Sequence, residues 1–303
     1  DITIPVNRGV RQGDTISPKL FTAALEDVFR TLNWENQGIM IDGEQLNHLR
    51  FADDIVLFAY NVETAEKMLQ ELDAASAQVG LKINRTKTQA MKNDQCAMGI
   101  ITLNGSAISF VDKYTYLGQI VTHNHNIDDE IRRRRSAAWF NFRSIEDVLK
   151  KTKDAKLRAH LFNSTVLPSL NYGSEVWTLR QSDKQKLQTT QRAMERRVLG
   201  IRLAQKIPNT TIRQRTEFKD AYIDALQRKF RWAGHVARYN DNRWTNRTTF
   251  WWPYDFRRPR GRPADRWRKL MQDHLGRNWH ELARNRTEYK NQTAEVLSSL
   301  TFL

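Results

Sequence analysis

Two adjacent aspartates, Asp53 and Asp54, stand within an apolar stretch of the chain, residues 48–60. Like charges repel, and removing carboxylates from water costs further free energy, so a pair at this position needs a counter-charge. Mg²⁺ is a hard cation that binds one or two carboxylates together with substrate phosphates. Two such ions, about 3.5–4 Å apart, stabilise the attacking and leaving oxygens of a phosphoryl transfer. The pair therefore predicts a magnesium-dependent phosphoryl-transfer site, with an ordinary surface turn as the alternative.

The segments that flank the pair are expected to form a β-hairpin with the aspartates at its turn. Leu49 and Phe51 precede the pair, and the apolar run 55–60 follows it. Two short runs of β-forming residues on either side of a polar turn are typical of a hairpin. Because both runs are apolar, we expect both strands to be largely buried.

A helix is predicted before the hairpin, and further elements after it. Ser17 as N-cap with Pro18 at the first helical position indicates the start of the first helix. An amphipathic pattern over residues 62–79, closed by Gly80, predicts a second helix. Residues 81–91 alternate like a strand, and two more strands are expected in residues 100–122.

The pattern becomes helical beyond residue 126. Three acidic residues, 128–130, open one helix, which suits the positive end of its dipole. Ser182 with Gln185 predicts a capping box at the start of another. Two short helices are expected to end the chain, after an irregular region at residues 240–263.

Composition excludes some classes of protein and favours one kind of partner. The 303 residues are enough for about two domains, and the single cysteine, Cys96, excludes an internal disulfide and fits a reducing compartment. The longest apolar run, residues 55–60, is far too short to span a bilayer. Residues 1–110 hold 10 Lys/Arg and 14 Asp/Glu, or −4, and the remainder holds 39 and 20, or +19. A basic part beside an acidic site predicts a polyanionic partner, with nucleic acid the first candidate and an anionic membrane surface the second.

The sequence FADD, residues 51–54, resembles the x-x-Asp-Asp box in the palm of reverse transcriptases. Other stretches resemble further motifs of that family, in the family's order: RGVRQGDTISPKLF (8–21) for motif B, GLKINRTKT (80–88) for motif D, YLG (116–118) for motif E, and a basic helical segment for the thumb. The closest similarity is to non-LTR retrotransposons, and GHVARYNDNRW and RRPRGRPADRWR in the tail resemble the RTE-type clade. A maturase-like or telomerase-like polymerase shares the palm, but the tail argues against it.

The resemblance assigns roles to individual residues. Asp53 and Asp54 would be catalytic metal ligands, and Lys87 would lie near the pyrophosphate leaving group, where a lysine can supply a proton. The template and incoming nucleotide would lie over Gln12 and Gly13 of motif B. The primer end would be held by Tyr116, Leu117 and Gly118 of motif E.

The family's third metal-binding aspartate, in motif A, is expected upstream of motif B, and only seven residues precede Arg8. We therefore expect residues 1–303 to hold part of a metal site and to be inactive alone, as a fragment whose intact parent adds upstream fingers and endonuclease segments. The alternative is a catalytically inactive remnant that binds RNA or DNA.

Arginines in the basic part form two candidate nucleic-acid contacts. Arg132, Arg133, Arg134 and Arg135 lie in a run on one predicted helix, where they are expected to contact the phosphate backbone. Arg260 and Arg262 lie in a segment that resembles an AT-hook. A solvated helix face and a basic linker are the respective alternatives.

The sequence thus predicts an α+β fold in three parts. Residues 1–122 would be a partial polymerase palm of a hairpin plus helices, 123–200 a helical thumb, and 201–303 a basic helical tail. The implied reaction extends a DNA 3′ end on an RNA template with Mg²⁺ and deoxynucleoside triphosphates. An intracellular ribonucleoprotein, in nucleus and cytoplasm and not on a membrane, is expected.

Overall fold

A computed structural model describes residues 9, 11, 13–252 and 265–301. The α+β class is confirmed: short antiparallel hairpins come first and helices follow. Three predicted site residues, Gln12, Arg260 and Arg262, lie outside the described residues. No helix in the described part of the chain is long and apolar enough to cross a membrane.

The described residues form two compact units. The first contains residues up to Tyr114, with 122–124 and 251–252, and the second contains 115–121, 125–250 and 265–301. The elements of the hairpin-rich part are α1 (Ser17–Thr31), β1 (Ile39–Ile41), β2 (Glu44–Leu46), β3 (His48–Phe51), β4 (Asp54–Leu57), α2 (Val62–Gln78), β5 (Ile101–Leu103), β6 (Ser106–Ile108), β7 (Lys113–Tyr116) and β8 (Gln119–Thr122). Consecutive strands pair as four two-stranded sheets, so the predicted hairpin is confirmed. The region after residue 100 holds four strands in two hairpins, and the prediction of two strands there is wrong.

Helices α1 and α2 form one apolar cluster of the first unit, and α2 with β5 and β6 forms another. The amide side chain of Asn61 accepts a hydrogen bond from the backbone of Thr64, at 2.7 Å, and caps α2. Gly80 follows the helix with a φ of +77°, as the sequence predicted. The apolar faces of the two helices meet in a cluster, and partly buried side chains of β4 pack against it. The buried members of the cluster are Leu25, Val28, Phe29, Trp34, Met68 and Leu72.

Two other local predictions in this unit are wrong. The first turn of α1 contains Pro18, but Ile16 is its N-cap, because the hydroxyl of Ser17 instead donates to the carbonyl of Arg11, at 2.6 Å. Residues 81–91 form no regular strand and contribute only an isolated bridge at Ala90. The side chain and backbone of Asn84 accept hydrogen bonds from the residues after it. These bonds stabilise a local turn in place of the strand that the alternating pattern predicts.

The second unit is helical. Its helices are α3 (Asp128–Lys151), α4 (Ala155–Leu170), α5 (Gln181–Leu199), α6 (Asn209–Thr216), α7 (Ala221–Arg238), α8 (Trp244–Phe250), α9 (Lys269–Leu275), α10 (Trp279–Leu282) and α11 (Arg286–Thr301). Helix α3 begins at the predicted acidic residues. The capping box predicted at Ser182 is wrong: α5 begins at Gln181, and Asp183 accepts from the backbone of Arg180 at 3.0 Å.

Two apolar clusters hold the second unit together. One joins α3, α4 and α5 with the start of α7 around Phe142, Phe162 and Trp177. The other joins the rest of α7 to α9, α10 and α11 around Phe230 and Trp279. Helices on both sides of residue 200 share a core, and the division between thumb and tail at that residue stays a prediction.

Candidate functional site

The turn of the β3–β4 hairpin presents the two aspartates to solvent. Phe51 pairs with Asp54, so the turn consists of Ala52 and Asp53. Both carboxylates are exposed, and neither has an ion-pair partner among the residues that the structure describes. Ala52 has a φ of +53°, a left-handed conformation that costs an L-residue with a Cβ roughly 1–2 kcal/mol. The turn therefore holds two available negative charges in a strained loop.

Polar residues of β3 anchor the hairpin to α1. The guanidinium of Arg50 donates to Glu26 at 2.7 Å and lies 4.3 Å from the ring centroid of Phe29. The ring of His48 lies 4.4 Å from Phe29 and 6.0 Å from Trp34, centroid to centroid. Burial, and then the charge of Arg50, lower the pKa of His48 to about 4, so this ring is neutral near pH 7.

The opposite face of the hairpin is open, which corrects the expectation that both strands are buried. Leu49 and Phe51 alternate with the anchoring residues, and their side chains are 36% and 63% exposed. Ile55 and Leu57 of β4 are partly buried against the α1–α2 core. A strand has two faces, and among the described residues a helix packs on the face with His48 and the alternate residues of β4.

The donor set at the turn fits Mg²⁺ in kind. Carboxylate oxygens are the hard donors that this cation prefers, and it usually takes one or two of them with substrate phosphates. Asp53 and Asp54 supply two, and in the described ranges no three metal-ligating side chains come together. The two carboxylates are compatible with the partial metal site that the sequence predicts, and that site stays a prediction.

Lys87 lies in the turn that replaced the predicted strand. Its backbone N–H donates to the carbonyl and to the side-chain oxygen of Asn84, both at 3.2 Å. The side chain is exposed and can reach a ligand in solvent. Its proposed role beside a leaving group stays a prediction.

Gly13 is in a conformation that glycine accepts readily. Its φ is +91°, and a Cβ at this position would have no heavy atom within 4 Å. The backbone is thus open to the close approach of a ligand, which is compatible with the role predicted for Gly13 beneath the template. Its neighbour Gln12 lies outside the described residues.

The three residues of the YLG motif lie at the β7–β8 turn. Tyr116 ends β7 and is partly buried, whereas Leu117 is 40% exposed. The hydroxyl of Tyr172 donates to the carbonyl of Leu117 at 3.2 Å. The carbonyl of Gly118 accepts hydrogen bonds from both Arg133 and Arg134.

The run of four arginines on α3 does not form one surface. The side chain of Arg132 is 76% exposed and pairs with Asp129 at 3.0 Å. Arg134 is only 10% exposed and pairs with Glu130 at 2.6 Å, as Arg133 does at 2.9 Å. Arg134 is thus closed to phosphates, whereas Arg133, 36% exposed, is partly open, so the basic surface is narrower than the predicted run of four arginines.

The fourth arginine of the run, Arg135, points to another helix. Its Nε donates to the hydroxyl of Thr190 on α5, at 2.7 Å. The outward face of α3 instead continues from Arg132 through Ser136 to Phe140 and Arg143, with Phe140 74% exposed. This spacing puts the four side chains on one stripe, which we call the α3 stripe.

Sequence reasoning missed the residues that support these motifs. Glu130 was assigned only to the helix dipole, and Tyr172 was assigned no role. The spacing of Glu130 from Arg133 and Arg134, three and four residues, could have indicated ion pairs within the helix. No sequence signal pairs Tyr172 with Leu117, because 55 residues separate them.

Comparisons with known proteins identify the family. A family model of reverse transcriptase (RNA-dependent DNA polymerase) matches residues 2–121. A transposon-derived protein of Caenorhabditis elegans is 36% identical over 266 residues, which are 82% of this chain and 95% of that protein. Pol polyproteins of R2 retrotransposable elements from Nasonia vitripennis and Drosophila melanogaster are 38% and 42% identical over 84 and 81 residues, 28% and 26% of this chain.

The chain spans nearly the full length of the nematode protein but only 8% of each of those two polyproteins. The narrower RTE-type assignment stays a prediction. The match of the reverse transcriptase model covers the hairpin with its two exposed aspartates, Lys87 and the YLG turn. This chain belongs to the reverse transcriptases of non-LTR retrotransposons.

Proposed function

We propose that this chain takes part in extending a DNA 3′ end on an RNA template, with deoxynucleoside triphosphates as substrates. The single observation that carries the proposal is the pair of exposed carboxylates at the β3–β4 turn, which have no ion-pair partner within the described ranges, in a chain of this family. Carboxylate oxygens are the hard donors that Mg²⁺ prefers. Mg²⁺ held by Asp53 and Asp54 would supply charge stabilisation for the oxygens of the transferred phosphoryl group.

The residues of the chain have distinct tasks in this proposal. Asp53 and Asp54 would bind Mg²⁺. Lys87 holds a proton on its Nζ close to the leaving pyrophosphate oxygen. Gly13, with Gln12 beside it, lies under the template and nucleotide. The turn of Tyr116, Leu117 and Gly118 lies against the primer end. An RNA template and a DNA primer imply a ribonucleoprotein in nucleus and cytoplasm, which the location of a fluorescently tagged protein would test.

The test is RNA-templated primer extension by the gene product that contains residues 1–303, with and without Mg²⁺. Asp53→Asn should abolish extension, and Lys87→Gln should slow it by about 10²–10⁴-fold. Asp42→Asn is a matched control, because Asp42 occupies the turn of the β1–β2 hairpin and the change removes the same charge. Extension that survives Asp53→Asn, or that is equally lost in the control, would contradict the assignment. A protein of residues 1–303 alone should not extend a primer. It offers Asp53 and Asp54, whereas the family resemblance calls for a third metal-binding aspartate as well.

Nucleic-acid binding by the second unit is a second candidate function, and the α3 stripe favours it. The stripe carries Arg132 and Arg143 on either side of an exposed aromatic ring, Phe140. Residues 111–303 carry a net charge of +19, from 39 Lys/Arg and 20 Asp/Glu. Guanidinium groups can contact phosphates, and an exposed ring can stack on a base for roughly 1–3 kcal/mol.

Fluorescence anisotropy over a salt series tests this binding. Replacing Arg132 and Arg143 with Gln should flatten the logarithmic salt slope by about 1.8 on duplex DNA, at about 0.9 for each lost phosphate contact. Arg30→Gln is the control, because Arg30 is equally exposed but lies on α1. An unchanged slope would exclude the stripe. Neutralising Arg260 and Arg262 should weaken binding to A·T-rich duplex more than to G·C-rich duplex if that segment enters the minor groove.

A further inference from the structure

The β7–β8 turn has a backbone that its sequence disfavours. Leu117 and Gly118 have φ values of +47° and +73°, the left-handed pair that a two-residue type I′ turn requires. Glycine accepts this conformation, but a leucine in it costs roughly 1–2 kcal/mol. Asn104 and Gly105 form the same kind of turn at β5–β6 with the residues that it prefers. Something outside the hairpin must therefore stabilise the YLG turn.

Side chains from α3 and from the segment after α4 hold this turn. Both Arg133 and Arg134 donate to the carbonyl of Gly118. The hydroxyl of Tyr172 donates to the carbonyl of Leu117, and its ring lies 4.3 Å from the guanidinium carbon of Arg134. The ring would also lie 3.4 Å from a Cβ added at Gly118, so it packs directly on the turn. The two turn carbonyls are thus held by three donors.

Glu130 organises these donors. Its side chain is 1% exposed, and its oxygens accept from Nε of Arg134 at 2.6 Å and from Nη2 of Arg133 at 2.9 Å. It also accepts from the backbone N–H of Ile120, two residues after Gly118, at 2.9 Å. One buried carboxylate therefore joins α3 to the turn directly and through two guanidinium groups. Without its charge, two adjacent cations would repel each other at a largely buried position.

We propose that Glu130 is a positioning residue that holds the Leu117–Gly118 turn in its strained conformation, so that the turn can hold the 3′ end of a primer. The proposal rests on the primer-holding role given to this turn in the proposed function. Glu130 does not touch substrate. It acts through Arg133, Arg134 and the amide of Ile120.

The first measurement is local and needs no substrate: amide hydrogen exchange at residues 116–122 in the chain of residues 1–303. Glu130→Gln should speed exchange there by about ten- to hundredfold, the effect of one lost buried charged hydrogen-bond partner. Asp129→Asn is the matched control, because it removes the same charge from the same first turn of α3 but affects the exposed Arg132. Equal exchange rates in Glu130→Gln and wild type would overturn the proposal.

A second variant separates strain from general loss of structure. Leu117→Asn gives the turn a residue that accepts the left-handed conformation, so it should reduce the effect of Glu130→Gln at least several-fold when the two changes are combined. Purely additive effects would show that Glu130 does not act on turn strain and would overturn the proposal.

The functional measurement is the ratio of affinities for two RNA–DNA duplexes, one with a recessed DNA 3′ end and one blunt. Glu130→Gln should lower the ratio of recessed-end to blunt-end affinity to about one, whatever the freed guanidinium groups add to both affinities. Loss of both affinities to the same degree would indicate a merely structural role and overturn the proposal. A wild-type chain without any 3′-end preference would instead refute the proposed function of the turn, and with it the primer part of this inference.

Discussion

Protonation of His48 should loosen the hairpin that carries the aspartate pair. The ring lies against Phe29 and Trp34 under β3, and its Nδ1 lies 2.7 Å from the side-chain oxygen of Asn47. The charged form is disfavoured by burial and by Arg50, and these lower its pKa from 6.5 to about 4. An imidazolium in this position would therefore weaken the attachment of β3 to α1.

The shifted pKa of His48 determines the direction and the size of the change in the free energy of unfolding with pH. Between pH 4 and 6.5 the unfolded chain binds a proton at His48 that the folded chain does not, so the free energy of unfolding rises with pH across this window. The difference in pKa corresponds to about 3 kcal/mol. Because the ring is only half-buried, solvent screening reduces this to about 1–2 kcal/mol. The stabilisation is complete above pH 6.5 and is lost as the pH falls towards 4.

The assay is the free energy of unfolding and the amide exchange of β3 and β4 at pH values from 7 to 4. His48→Gln should remove about 1–2 kcal/mol of the acid sensitivity, whatever its effect at pH 7. Glu26 also faces Arg50, and its pKa is lowered by that hydrogen bond, but it is present in both proteins and cancels in the difference. His160→Gln, a change at an exposed histidine of α4, is the control. Equal acid sensitivity of the wild type and His48→Gln would refute the reasoning.

Three other changes test the packing. Ala52→Gly should raise the free energy of unfolding by about 0.5–1 kcal/mol, because relief of the +53° strain exceeds the entropy that glycine adds to the unfolded chain; chemical denaturation measures it. Burial lowers the pKa of Lys229 from 10.5 to about 8, so stability should rise from pH 8 to 10.5, by up to about 1.4 kcal/mol per pH unit, and Lys229→Met should flatten this slope. Gly234→Ala should destabilise α7 by about 1–3 kcal/mol despite alanine's helix propensity, because its Cβ would lie 2.8 Å from the ring of Tyr289; an unchanged melting temperature would contradict the packing.

Elements that depend on local signals were predictable from the sequence. The hairpin around Asp53 follows from two β-forming runs and a short polar turn, and α2 follows from its apolar face and Gly80. The acidic start of α3 is equally local. In each case the stabilising interactions lie within a few residues, so the pattern and the fold agree.

Predictions failed where two local options compete or where the answer is tertiary. Residues 81–91 alternate like a strand, but Asn84 forms a turn that satisfies the same backbone groups locally. The run from Arg132 to Arg135 reads as one charged surface, yet successive residues of a helix are about 100° apart, so it divides among solvent, Glu130 and α5. The number of charged residues in a run does not show which of them form ion pairs or hydrogen bonds in the folded chain.

The hairpin turns differ in how well their residues suit a left-handed backbone. In the described part of the chain, the β1–β2 and β5–β6 turns contain Asp42-Gly43 and Asn104-Gly105, whose residues prefer left-handed backbone. The other two turns place Ala52 and Leu117 in that conformation, and these lie in the FADD and YLG stretches. A residue that strains its own turn is retained only where the surroundings impose the shape or the side chain serves another purpose. The first condition holds at Leu117, where side chains of α3 and Tyr172 donate to the turn carbonyls, and the side chain of Leu117 is exposed. Local conflict between sequence and backbone therefore points to the same two turns as the family resemblance, by an independent physical argument.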